Sequence, residues 1–187
     1  MKIKNVNVYD IIQSIKASGY PMSTEIDNEV DSGDLDRAEI LAKSKQGSGH
    51  DCFLKGITIS FDVTAPQYWW LQFQRYHFAD IVSSQSKMHR ITKMDIAEQC
   101  NEYVTDKAID HLKMLLISYR ADKSDYNFQR IIANTPMGLQ LTARVTTNYL
   151  QLKSIYNQRR SHKLEEWQVF CDWIENLTYS EFITGGN

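Results

Sequence analysis

The clearest pattern in the chain is an alternation over residues 56–64, where Ile57, Ile59, Phe61 and Val63 interleave with Thr58, Ser60, Asp62 and Thr64. A period of two puts the apolar set on one face of a β-strand and leaves the other to water or a partner. Ala65-Pro66 ends the strand, because proline has no N–H for a ladder and fixes its own φ. Pro66 also suits a first helical turn, and Tyr68, Trp69, Trp70, Leu71 and Phe73 continue as a buried aromatic helix. A dense polar cluster follows, from Gln72, Gln74, Arg75 and His77 to Ser83, Ser84, Gln85, Ser86, Lys87, His89 and Arg90.

Elsewhere the spacing is helical. Ile11, Ile12 and Ile15 follow a capping Asp10, and Gly19-Tyr20-Pro21 stops that helix. Residues 23–36 are acidic and poor in apolar side chains, which reads as a solvated loop. A short helix over 35–43 and a flexible lead, Gln46-Gly47-Ser48-Gly49, come next. Asp95 starts a helix through Ile96, Cys100 and Val104, and Thr105 caps one carrying Ala108, Ile109, Leu112, Leu115, Leu116 and Tyr119. A further helix over 126–132 breaks at Asn134-Thr135-Pro136-Met137-Gly138. Val145, Tyr149, Leu152, Ile155 and Tyr156 make one apolar stripe of a helix from Arg144, with Arg159 on its continuation. Ser161 caps a last helix that turns Leu164, Trp167, Phe170, Cys171 and Ile174 inward. The expected fold is α+β, a mixed or antiparallel sheet including residues 57–63 packed with helices, in a single domain over 1–187.

Composition narrows the function classes. At 42% hydrophobic and 24% charged the chain can bury a substantial core. A net charge of −2 argues against general electrostatic binding of nucleic acid. Cys52, Cys100 and Cys171 are far apart and have no metal-ligand spacing, so reduced cysteines and no metal are expected. No apolar run of membrane length or signal-peptide pattern is present, which reads as a cytoplasmic protein without a membrane partner.

Residues 49–90 resemble the signature region of the flavin-dependent thymidylate synthases, the ThyX family. That family has a Gly-His pair, an amphipathic strand ending near Ala-Pro, a glutamine ahead of an aromatic-Arg-His-Arg run, and a later Ser-x-Arg. Gly49-His50, Ala65-Pro66, Gln72 and Arg75 stand at matching spacing without a gap. The triplet reads Arg75-Tyr76-His77 here, and the later motif reads Ser86-Lys87-Met88, displaced by one residue. Asn148, Leu152 and Arg159 match a second family stretch, with Gln158 in place of a leucine. The resemblance spans about 49–177; Arg130, near Thr135-Pro136, aligns less cleanly with a family arginine.

The resemblance implies methylation of dUMP, or of a related deoxypyrimidine nucleotide, with reduced FAD and with NADPH and methylene-tetrahydrofolate as co-substrates. It implies that His50, Arg75 and His77 meet the flavin. By the same analogy Gln72 and Arg159 hold the pyrimidine, Arg159 helps activate it, and Ser86 with Lys87 or Arg90 holds the phosphate. Arginine suits such tasks because it stays charged and offers a planar fork. Family members are homotetramers with sites at subunit interfaces, so self-association is implied too. Two arginine positions of the family are filled here by Tyr76 or His77 and by Met88. Loss of two bidentate phosphate contacts, about 1.5–3 kcal/mol each, weakens a nucleotide site by about two or more decades. The alternative is therefore a catalytically silent ThyX-like protein, of a kind a phage carries, that binds a nucleotide or a protein partner. An unrelated α+β structural protein is the third reading.

Overall fold

The computed structural model describes residues 1–26, 29–45 and 47–185. Gln46 of the expected flexible lead and Asp27 of the acidic stretch lie outside the described residues. The chain divides into two compact units. One comprises residues 1–2, 63–75 and 81–144, and the other residues 3–62, 76–80 and 145–187.

Four strands form an antiparallel sheet in the order β1-β2-β4-β3, with β1 at Lys2–Tyr9, β2 at Thr58–Pro66, β3 at Asp80–Ser84 and β4 at Gln140–Asn148. The β2–β4 register is visible in paired hydroxyls: Ser60 meets Thr146 at 2.9 Å, and Thr64 meets Thr142 at 2.7 Å. Four residues forward on β2 are thus four residues back on β4. Ile59, Phe61, Val63 and Ala65 are buried, as the alternation requires. The strand keeps Pro66 as its last residue, and α1 to α10 take up most of the remaining chain.

In the larger unit, α1 (Ile11–Ala17) packs on α2 (Ser32–Ala42). Asp31 and Asp34 form a reciprocal capping box at the start of α2. Asp34 also pairs with Lys16 of α1 at 3.1 Å and with Arg37. Part of the acidic stretch is therefore a helix start with a buried carboxylate, where charge density alone read as a solvated loop. Phe61 packs on Phe170 and Trp173, tying β2 to α9 (Glu165–Glu175). The helix before it, α8 (Tyr149–Arg159), starts at Asn148, whose side chain accepts from the Gln151 N–H. Two expectations fail here. Residues 144–148 are strand because Ala143, Val145 and Thr147 face inward with period two, and Leu164, not Ser161, precedes α9. The last helix, α10, spans Glu181–Thr184.

In the other unit, α3 (Gln67–Phe73) buries Trp69, Trp70 and Phe73, but Leu71 points outward. The Trp70 indole N–H is shared between the carbonyls of Ala65 and Leu141, each at 3.1 Å. A second core gathers Ile91, Ile96, Leu112, Leu115, Leu116, Ile131 and Leu139. It is built by α5 (Ile96–Gln99), α6 (Asp106–Ala121) and α7 (Asp125–Ala133) with Leu139 and with Ile91, which follows the short α4 (Lys87–Arg90). Asp95 caps α5, which stops at Gln99; Cys100 then bridges to Leu139 and does not extend a helix to Val104. Thr105 caps α6 as its spacing requires. Among the described residues no helix is long and apolar enough to cross a membrane.

Candidate functional site

The predicted site residues fall into two sets, one in each unit. In the 63–144 unit, Gln72 lies half-buried near the end of α3, and Arg75 is exposed just past it. Ser86 sits at the start of α4, its hydroxyl accepting from the His89 N–H at 3.4 Å. Lys87 is turned back to α3, its ammonium donating to the Gln67 side-chain oxygen at 3.0 Å, while Arg90 is exposed. Gln85 bonds β4 through its backbone N–H and its side-chain oxygen, both to Thr142. A hollow of about 170 Å³ lies alongside, lined by residues that include Gln67, Gln74, Ser84, Gln85 and Thr142. Gln72, Arg75, Ser86, Lys87 and Arg90 are not among its walls.

The second unit holds a larger cleft of about 570 Å³. Its walls are Gly47, Gly49, Asp51, Cys52 and Lys55 on one stretch, Phe78 on another, and Asn148, Leu150, Gln151 and Ser154 at the start of α8. Gly47 and Gly49 both sit at φ 84, which only glycine adopts without strain. The Thr147 hydroxyl donates to the Phe78 carbonyl at 2.6 Å and so fixes the turn that brings Phe78 to the cleft. His50 and His77 are exposed, and each is the immediate chain neighbour of a wall residue. The sequence marked those histidines and missed Lys55, Gln151 and Ser154. Gly49-His50 and Asn148 were the sequence signals for this cleft, and nothing in the spacing of α8 marks Gln151 or Ser154.

A buried ion pair sets the cleft wall. Lys153 is 0% exposed, and its ammonium donates to Asp51 at 2.7 Å and to the carbonyls of Ala42 at 2.7 Å and Ser44 at 2.9 Å. Three donors meet three acceptors, which is what a buried ammonium requires. The residue sits on the buried stripe of α8, where an apolar side chain would be expected from spacing.

Arg159 ends α8 in an aromatic setting. Its Nε donates to the Tyr76 hydroxyl at 2.7 Å, and its guanidinium lies 4.7 Å from the Trp167 ring centre and 5.6 Å from that of Tyr76. The Tyr76 hydroxyl donates in turn to the Gln158 side-chain oxygen at 3.1 Å. His162 stands edge-on to Trp167, and its Nδ1 accepts from the Leu164 N–H at 3.1 Å. Burial, and after it the Arg159 charge, hold His162 below the ordinary histidine range. Next in sequence, Arg160 pairs with Asp172 and Glu175 of α9, a structural role that separates it from Arg159. Arg130 lies exposed on α7, over the Tyr126 ring at 5.9 Å.

No protein-family model and no curated protein matches the sequence. Among solved structures, the chain is similar to the flavin-dependent thymidylate synthase ThyX from Helicobacter pylori complexed with FAD and dUMP. Identity is 15% and the TM-score 0.72, over 99% of both chains. A second structure of ThyX from Helicobacter pylori with FAD and dUMP gives 14% identity and a TM-score of 0.74, over 99% of this chain and 98% of that one. The UMP/dUMP methylase PolB from Streptomyces cacaoi bound with 5-Br dUMP gives 15% and 0.64, over 93% and 88%. The chain has the ThyX fold.

Proposed function

We propose that this chain is a divergent flavin-dependent thymidylate synthase, methylating dUMP or a related deoxypyrimidine nucleotide. The observation that carries the reading is the likeness over 99% of the chain to proteins complexed with FAD and dUMP. Reduced FAD would supply hydride, with methylene-tetrahydrofolate as the carbon source and NADPH as the reductant. No protein nucleophile is needed, so the chain's own task is positioning and charge complementarity.

The 570 Å³ cleft fits such a cofactor in size and chemistry. Phe78 and Leu150 offer apolar walls to a ring system, the Asn148 and Gln151 amides offer hydrogen bonds, and Lys55 adds a cation. By the family resemblance His50 and His77 flank the flavin, and Arg75 takes its phosphates. Gln72 and Arg159 hold the pyrimidine, Arg159 stabilising charge on the ring. Ser86, with Lys87 or Arg90, takes the nucleotide phosphate. The same reading carries a homotetramer.

A silent binding protein is the second reading, and one observation favours it. Tyr76, in the triplet's histidine place, is spent on Arg159 and Gln158 within the chain, while Met88 is exposed where the family has arginine.

The test is an absorption spectrum of the purified protein, titrated with FAD and then dUMP. A flavin band that shifts on adding dUMP is expected, and Arg159→Ala should keep the band and lose the shift. A colourless protein that ignores FAD at tens of micromolar rules out the synthase and leaves the silent reading.

A further inference from the structure

We infer that Tyr76 is a positioning residue for Arg159, setting the orientation in which the guanidinium meets the pyrimidine; this rests on the nucleotide reading above. The Tyr76 hydroxyl accepts from Arg159 Nε at 2.7 Å and donates to the Gln158 side chain at 3.1 Å, so its proton direction is fixed from both sides. The Tyr76 and Trp167 rings stand nearly perpendicular, 78° apart with centres 6.1 Å apart, and each carries the guanidinium within 6 Å. Arginine is a long side chain whose rotamers a ligand has to freeze on binding. An arginine held in advance by a hydrogen bond and two rings has lost that freedom before the ligand arrives.

The substitution in the Arg-His-Arg triplet explains why this is possible here. A phenol oxygen lies further from the backbone than either imidazole nitrogen, so a tyrosine at position 76 reaches Arg159 from its own turn. Nε committed to Tyr76 also closes the side-on fork of Nε and one terminal nitrogen to an incoming group.

Tyr76→Phe tests this by removing the hydroxyl and keeping the ring. The wild-type protein should bind dUMP about tenfold more tightly than the variant, the loss expected for one hydrogen bond to a charged group. FAD uptake should be equal in the two. In an Arg159→Ala background the same change should cost nothing further. Equal dUMP affinity in wild type and Tyr76→Phe overturns the inference while leaving the nucleotide reading intact. Wild type that takes up FAD and ignores dUMP and the other deoxypyrimidine nucleotides overturns both. A readout independent of any ligand is the Arg159 Nε–H signal in nitrogen-15 NMR. It should be protected from exchange in the wild type and fast in Tyr76→Phe, and fast exchange in both overturns the clamp itself.

Discussion

Lys153 shows how much one side chain can hold. It has no exposed surface, and its three donors are met by Asp51, Ala42 and Ser44. Removing one partner of a buried pair leaves an uncompensated charge and costs about 3–5 kcal/mol, whereas replacing both with well-packed apolar groups is often neutral. Lys153→Met should therefore lower the unfolding free energy by about that amount in urea titration. Lys153→Met with Asp51→Leu should recover much of it. An undiminished single variant would mean that the carboxylate finds water. None of this was legible in the sequence. Lys153 occupies a position on a helical stripe whose neighbours are Leu152 and Ile155, and its acceptors lie about a hundred residues away in the chain.

At the scale of elements, legibility followed the strength of each period. β2 was readable because large apolar residues alternate with hydroxyls and an aspartate. β4 was not, because its inward set is Ala143, Val145 and Thr147, too small and too polar to mark a face. Val145 with Tyr149 and Leu152 then mimicked a helical stripe across the strand–helix junction. The capping box of α2 was hidden for a different reason: Asp31 and Asp34 belong to a run of acids that looks like surface. Arg37, the Asp31 backbone and Lys16 hold the Asp34 carboxyl well below its ordinary value, at about 2. A depressed carboxylate pKa contributes stability that is complete above the ordinary carboxylate range and is lost as pH falls from there toward 2. The melting temperature should thus fall over that window, and Asp34→Asn should flatten the fall while lowering stability at neutral pH. A variant with the wild-type profile would place the acid sensitivity on another carboxylate.

For the whole molecule, the family resemblance reached further than the periodicities. The gapless spacing from Gly49 to Arg75 pointed to the fold, although the β4 and α9 boundaries were misplaced. For the candidate site the sequence offered a set of residues and no geometry. His50 and His77 stand beside a cleft whose walls they do not form, and Tyr76, read as a departure from the triplet, turned out to hold Arg159. Large apolar side chains are exposed in both units, among them Ile40 and Phe78 in one and Leu71, Val82, Met114 and Ile117 in the other. Exposed residues of this kind fit the proposed self-association. Sedimentation at micromolar concentration should give four times the 21.8 kDa chain mass, and a monomer would remove the tetramer from the proposal.

The Lys153 ammonium also joins two points of one chain segment. Ser44 and Asp51 are bound to the same nitrogen, so a stretch of chain has its two ends held at a single point. Lengthening such a stretch costs little, about 0.6 kcal/mol per doubling. Gly47 and Gly49, between those ends in sequence, border the cleft. A peptide spliced beside Ser48 would redraw the mouth of the cleft and leave α8 anchored, making this the natural place to graft new recognition onto the scaffold.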